Sequence, residues 1–271
     1  MAFTVTTILA PAGATIPIVF VADGFKSSQM STFDDNIDDI MIKFRTTAPF
    51  NTSANKGKFQ WYKVSKTSVQ DGVSIIDHPE NPMTPVTRNT FFKVFRNWVG
   101  LSHYYHIPDY NRAILASGLL DSPGGFFANR PDDNVFVIII SNSSTYGGGA
   151  EFLGLMPSTS SPDRMSICIV GNGDDMTDVA IHEFGHSFGD LDDEYLDSVY
   201  AANAPTYEPD VWFYGNRLNV RDANPGGWYQ GARYVTTKYR ATYDDLMKNI
   251  YASGFGSPNE ALLQDRIDDE A

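Results

Sequence analysis

The residues with the clearest capacity for chemistry lie in one segment, VAIHEFGHSFGDLDDEY, which runs from Val179 to Tyr195. This segment contains His182, Glu183 and His186 in the pattern H-E-x-x-H. On a helix, residues four apart lie on one face, so both imidazoles can reach the same ion. Glu183 stands beside the first histidine, where it can contact a metal-bound water without ligating the metal. The pattern predicts a hydrolytic zinc site with Glu183 as the general base.

A catalytic zinc site needs three protein ligands and one open position, and the acidic run after His186 offers the third ligand. Asp192 follows His186 by six residues, which is the spacing H-E-x-x-H-x-x-G-x-x-(H/D). Asp193 is its neighbour and the alternative, and Glu194 is a third candidate. The acids that do not bind metal can hold histidine N–H groups or loop amides. Gly189 is expected to end the helix and turn the chain.

The elements that must position these residues follow from hydrophobic periodicity, which predicts strands and helices alternating as far as Val170. The predicted class is α/β (α+β), with a mixed twisted sheet, an active-site helix and a loop-rich C-terminal lobe. We expect one domain over residues 1–271, with one lobe to about 189 and a smaller lobe over about 190–271. The predicted strands lie in 16–25, 59–66, 134–143, 145–152 and 165–170, and the predicted helices in 28–45, 89–100, 109–120, 178–188 and 259–267.

Several segments also resemble a known family. HEFGHSFGDLDDEY resembles the signature of the IgA-peptidase-type metallopeptidases, a bacterial metzincin-like family also called igalysins. The segments IPIVFVADGFKSSQMSTF, APFNTSANKGKFQWYKVSKTS, VFVIIISNSSTYGGGAE and KYRATYDDLMKN resemble further parts of that family in the same order. The resemblance implies a metzincin-like zincin fold, a zinc-dependent endopeptidase with protein or peptide substrates, and a secreted or cell-surface location.

The same resemblance bears on individual residues. The family reads D-E-Y where this chain has Asp193, Glu194 and Tyr195, which favours Asp193 over Asp192 as the third ligand. It also implies that Met247 packs in a tight turn below the imidazoles and binds no metal. The substrate that gives the family its name is not carried over to this chain.

The sequence also suggests roles for five residues outside the segment from Val179 to Tyr195. Tyr239, Tyr243 and Tyr251 are candidate phenols for donating to the oxyanion of the transition state, with aromatic packing as the alternative for each. His103 and His106 are expected to be surface or packing residues.

Two glycine-containing segments are interpreted as parts of the cleft or its support. STYGGGAEF is predicted to form a rim strand, to which an extended substrate can add as an antiparallel partner, or else a plain turn. GNGDD, from Gly171 to Asp175, is interpreted either as a structural calcium site or as a turn before the helix.

The composition narrows the function classes. In 271 residues, hydrophobic side chains make up 42%, which fits a packed core, and the net charge of −13 argues against nucleic acid and anionic membranes as partners. The single cysteine, Cys168, excludes an internal disulfide and is expected to be buried in a strand. No apolar run reaches the ~20 residues of a membrane span, and no signal peptide is predicted at the start of the chain.

The competing function is a non-catalytic, metal-stabilised protein- or glycan-binding module that kept the fold. Glu183 argues against this alternative, because a binding module needs no general base at that position.

Overall fold

The computed structural model describes residues 3–120, 125–128, 134–151, 165–197 and 219–271. Its helices are α1 (Met30–Thr46), α2 (Asp109–Leu120), α3 (Met176–Gly189) and α4 (Gly256–Glu270). Its strands are β1 (Thr6–Leu9), β2 (Ile16–Asp23), β3 (Phe59–Val64), β4 (Ser74–Ile75), β5 (Phe95–Arg96), β6 (Tyr105–His106), β7 (Val135–Ser141), β8 (Gly148–Glu151), β9 (Met165–Gly171), β10 (Val220–Arg221), β11 (Tyr229–Ala232) and β12 (Val235–Arg240).

The main sheet has the order β1-β3-β2-β7-β9-β8. Strands β3, β2, β7 and β9 are parallel, whereas β1 and β8 pair antiparallel with their neighbours at the two edges. Every residue of β2, β7 and β9 is buried, because helices or loops cover both faces of these strands. Mixed strand directions in a sheet covered by helices confirm the predicted α/β class, and this architecture is consistent with a zincin-like fold.

Side chains of the central strands alternate between two cores, as the two-residue period of a strand requires. On one face, Phe20, Ile138 and Val170 lie in a core shared with α1, α3 and α4. On the opposite face, Val21 and Ile139 lie in a core shared with α2. Helix α3 is therefore supported from below by the sheet.

Helix α1 buttresses α3 from the side. Its buried residues recur at the three- and four-residue spacing of an amphipathic helix, and Phe44 in its last turn contacts Phe184 of α3 with ring centroids 4.8 Å apart. Phe184 lies between the two histidines in sequence, so this contact fixes the helix that carries them.

The helix predicted over residues 89–100 is wrong, because the segment is extended or irregular and contains β5. The backbone N–H groups of Phe92 and Val94 donate to the buried carboxylate of Asp23, at 2.7 and 3.0 Å. Asn97 and Val99 have positive φ angles of 70° and 49°, which end any regular helix. A contact with the end of β2 overrides the apolar spacing that suggested a helix.

The C-terminal residues form a three-stranded sheet, β10-β12-β11, and then α4, which returns to pack against α3. A Cβ atom on Gly189 would lie 2.4 Å from Leu263 of α4, so the glycine permits close helix packing. Helix α3 ends at Gly189, as expected, and the next residue, Asp190, has the left-handed conformation that turns the chain, with φ 56°. Among the described residues, no helix is both long and apolar enough to cross a membrane.

Candidate metal centre

Helix α3 places His182 and His186 one turn apart on the same face, with their Nε2 atoms 3.1 Å from each other. Both side chains are buried, at 7% and 8% exposure. The predicted helix thus presents both imidazoles to one point.

The outer nitrogens of the two rings are both tied to backbone carbonyls. Nδ1 of His182 lies 2.7 Å from the carbonyl oxygen of Leu246, and Nδ1 of His186 lies 2.7 Å from that of Leu191. A carbonyl oxygen only accepts, so each Nδ1 carries the ring proton and donates it. In the neutral rings, each Nε2 then directs a lone pair towards the space between the histidines, as a metal ligand requires.

Asp193 completes this set. Its Oδ1 lies 3.2 Å from Nε2 of His182 and 3.2 Å from Nε2 of His186, and it is buried without a hydrogen-bond partner. Three electron-pair donors therefore face one another at 3.1–3.2 Å. Ligands about 2.0–2.1 Å from a tetrahedral zinc ion are separated by roughly 3.3 Å, so the three residues fit such an ion.

The electrostatics of the cluster also favour a cation. Burial opposes ionisation of Asp193, but the neighbouring His186 and His182 hold the pKa of this carboxyl far below its usual range. Burial alone would lower the pKa of His186, yet the Asp193 carboxylate raises it to about 9. A buried carboxylate is stabilised by a positive charge beside it, and either a proton or a metal ion can provide this charge.

Asp192, the alternative third ligand, lies elsewhere. Its Oδ2 is 3.2 Å from Nε of Arg233, and its backbone N–H and C=O are bound by the side-chain amide of Asn219, at 2.9 Å each. Burial raises the pKa of Asp192 to about 6, although the Arg233 charge opposes the shift. The structure thus brings Asp193 to the histidines and Asp192 to an arginine.

The side chain of Glu183 lies against the edge strand β8. A Cβ atom on Gly148 would lie 2.7 Å from Oε1 of Glu183. The carboxylate therefore packs directly against the backbone of β8. Burial raises the pKa of Glu183, while the charges of His182 and His186 act in the opposite direction. A carboxylate with a raised pKa next to a metal centre is suited to proton transfer.

Strand β8 forms one edge of the main sheet, which confirms the strand predicted in STYGGGAEF. Gly148 also makes an isolated parallel bridge with Tyr104, which covers the start of this strand. Any addition of a substrate strand would involve residues after Gly148, and this part of the interpretation stays a prediction.

Met247 lies close to Gly185 of α3, and its role below a metal ion stays a prediction. It is fully buried, and a Cβ atom on Gly185 would lie 2.7 Å from its Sδ. Its carbonyl oxygen accepts a hydrogen bond from the N–H of Glu194 at 2.8 Å. The methionine turn therefore contacts both α3 and the loop that carries Asp193.

Glu194 is buried and links this loop to the C-terminal part of the chain through hydrogen bonds. Its Oε1 accepts from the side-chain amides of Asn219 and Asn259, at 3.1 and 2.9 Å. Burial, and then the charge of Asp245, raise the pKa of Glu194 to about 8. Its carboxyl is fully occupied by these partners, which gives it a structural position behind the ligands.

The three candidate phenols remain untested as donors to an oxyanion. Tyr239 lies in β12, Tyr243 is exposed, and Tyr251 donates its hydroxyl to Asp175 at 2.9 Å. Asp175 belongs to the turn before α3, and the calcium site proposed for that turn stays a prediction.

The sequence assigned no role at this centre to three residues that lie near it. Tyr234 donates its hydroxyl to Oδ2 of Asp193. Burial lowers the pKa of His103, whereas the charges of Asp197 and Asp193 raise it. The pKa of Tyr146 is raised by burial and by the charge of Glu183.

These residues are far apart in sequence. His103 was expected to be a surface or packing residue, Tyr146 was considered only as part of STYGGGAEF, and no pattern marked Tyr234. His106 fits its predicted packing role, since it stacks on Trp98 with centroids 4.4 Å apart.

Comparison with known proteins identifies a family that the chain matches. A family model described as IgA Peptidase M64 matches residues 8–220, which include the whole histidine and aspartate cluster. Among solved structures, metalloproteinase-II from Bacteroides fragilis is similar, with a TM-score of 0.35 and 13% identity over 70% of this chain and 46% of that one. The chain thus spans less than half the length of that protein. No curated protein matches the sequence.

Proposed function

The chain belongs to the IgA Peptidase M64 family and is a metallopeptidase of that family, and from this premise we propose that it is a zinc-dependent endopeptidase. We assign His182, His186 and Asp193 as the metal ligands and Glu183 as the general base. The observation that carries the proposal is the convergence of two imidazole nitrogens and one carboxylate oxygen at 3.1–3.2 Å, with no hydrogen bond to Oδ1 of Asp193.

The choice of zinc rests on the donor set. Two neutral imidazoles and one carboxylate are typical of catalytic zinc, which keeps a fourth position open for water or substrate. Calcium and magnesium prefer sites made of oxygen ligands alone.

When bound, zinc polarises the scissile carbonyl and lowers the pKa of water towards ~7. The residues of the chain perform the remaining tasks. Glu183 accepts a proton from the attacking water and then delivers it to the nitrogen of the leaving peptide. Leu246 and Leu191 hold the two imidazoles in one tautomer throughout, through the carbonyl contacts of 2.7 Å.

The substrates are proteins or peptides, and the family resemblance supports action outside the cell or at its surface. Strand β8 lies directly beside Glu183, which places a sheet edge next to the proposed general base. A substrate bound in extended form along the cleft would present an internal peptide bond to this carboxylate.

The test compares the wild type with Glu183→Gln and with Asp39→Asn, which removes one negative charge from an exposed position on α1. The substrate is a fluorogenic peptide with both termini blocked, so that only internal cleavage is detected. We expect one zinc per chain in all three proteins and activity at least ~10³-fold lower in Glu183→Gln alone. Full activity of Glu183→Gln would contradict the assignment of Glu183 as the general base. No cleavage by the zinc-loaded wild type would contradict the proposal as a whole and favour a binding module.

A further inference from the structure

The hairpin that joins β11 to β12 has an unusual turn. Ala232 pairs with Val235, so Arg233 and Tyr234 form a two-residue loop. Both have positive φ angles, 47° and 67°, as the first and second positions of a type I′ turn require. Such turns normally use Asn-Gly. Non-glycine residues with this strained backbone persist only where surrounding contacts hold them, and they cluster at functional sites.

The tip of this hairpin is bound to the loop that carries Asp193. The N–H of Arg233 donates to the carbonyl oxygen of Asp193 at 2.8 Å, and the N–H of Tyr234 donates to that of Tyr195 at 3.0 Å. The Arg233 side chain also pairs with Asp192 at 3.2 Å. The left-handed backbone of the turn is what points these two N–H groups at the loop.

The phenol of Tyr234 completes the contact. It donates to Oδ2 of Asp193, while Oδ1 of the same carboxylate faces the two histidines. One oxygen is thus held by the hydroxyl and the other is left for the metal. A carboxylate fixed at both oxygens has no freedom to rotate about its last bond.

The ring of Tyr234 is itself held in place. It meets the ring of Tyr195 edge-on, with centroids 5.4 Å apart, and packs in a small apolar cluster with Trp98, Val99 and Leu101. Trp98 and Val99 belong to the segment mispredicted as a helix, and Val99 has a positive φ of 49°. A donor locked by packing can orient a ligand accurately.

We propose that Tyr234 is a positioning residue that orients Asp193 for metal binding and thereby sets the zinc affinity. This inference rests on the proposed assignment of Asp193 as a ligand. Hydrogen-bond partners of metal ligands typically change metal affinity by about 10–100-fold when removed.

The experiment uses Tyr234→Phe, which removes only the hydroxyl, and Tyr110→Phe as the matched control at an exposed phenol on α2. Zinc-loaded proteins are titrated with a chelator of known affinity to obtain the zinc Kd. We expect about 10–100-fold weaker binding for Tyr234→Phe and no change for Tyr110→Phe. Circular dichroism confirms that both variants keep the fold.

A double-mutant cycle with Asp193→Ala separates positioning from general support of the fold. If the phenol acts through the carboxylate, Tyr234→Phe has no further effect on the Kd once Asp193 is absent. An unchanged Kd in the single variant, or an equal loss in both backgrounds, overturns the proposal. The proposed function is tested separately, because Glu183→Gln reports on hydrolysis and leaves these zinc affinities unaffected.

Discussion

The carboxylate of Glu183 lies against Gly148, the first residue of the edge strand β8. The contact is so close that a Cβ atom at position 148 would approach Oε1 to 2.7 Å and the backbone oxygen of Ile169 to 2.8 Å. The glycine is therefore required by the position of the proposed base. This relationship couples helix α3 to the edge strand of the main sheet.

A methyl group at position 148 is expected to displace Glu183 or to shift β8. For Gly148→Ala we predict at least a ~10-fold loss in kcat/KM, because small misplacements of a catalytic group have large effects on rate. Zinc content should remain at one ion per chain, since the metal ligands do not contact Gly148. The control is Gly57→Ala, where a Cβ atom meets nothing within 4 Å. Equal kinetics for the two variants would contradict the assigned position of Glu183.

The two neighbouring aspartates should respond differently to truncation. Asp193→Ala is predicted to weaken zinc binding by at least ~100-fold, because it removes one of three ligands. Asp192→Ala should have a smaller effect on zinc but should lower the melting temperature, since it removes a buried ion pair with Arg233. Chelator titration and thermal unfolding distinguish the two outcomes, and the reverse pattern would transfer the ligand role to Asp192.

Glu194 predicts an uncommon pH dependence of stability. Its pKa is about 8 in the folded protein, against 4.5 for the free side chain, so the folded state holds the proton more tightly. Its contribution to stability is complete below pH 4.5 and is lost as the pH rises to about 8, with a slope of at most about 1.4 kcal/mol per pH unit.

The variant Glu194→Gln keeps an acceptor for Asn219 and Asn259 and supplies a permanent donor towards Asp245. We expect the melting temperature of this variant to change less between pH 5 and 8 than that of the wild type. A wild-type curve that rises over this range with the same slope as the variant would show that Glu194 is ionised in the fold.

The sequence was sufficient for the parts of the site that depend on local spacing. His182, Glu183 and His186 are arranged by one helix, so the four-residue period predicted their faces. The continuous apolar runs of β2, β7 and β9 likewise predicted buried strands. In both cases the residues that form the sequence pattern are the same residues that form the helix or strand.

The rest depends on contacts between distant residues. Spacing alone left Asp192 and Asp193 open, and their positions depend on Asn219 and Arg233, which lie 27 and 40–41 residues away. Tyr234 carried no signal, because Arg-Tyr is not a usual pair for a two-residue turn. The false helix over 89–100 has the same cause, since the carboxylate of Asp23 holds that segment from another strand.

The central claim is most directly tested by a crystal structure with anomalous diffraction measured at the zinc edge. The account predicts one anomalous peak within about 2.0–2.2 Å of Nε2 of His182, Nε2 of His186 and a carboxylate oxygen of Asp193. Oδ2 of Asp193 should still accept from Tyr234. A peak bound by Asp192 instead, or zinc-loaded crystals with no peak between the histidines, would contradict it.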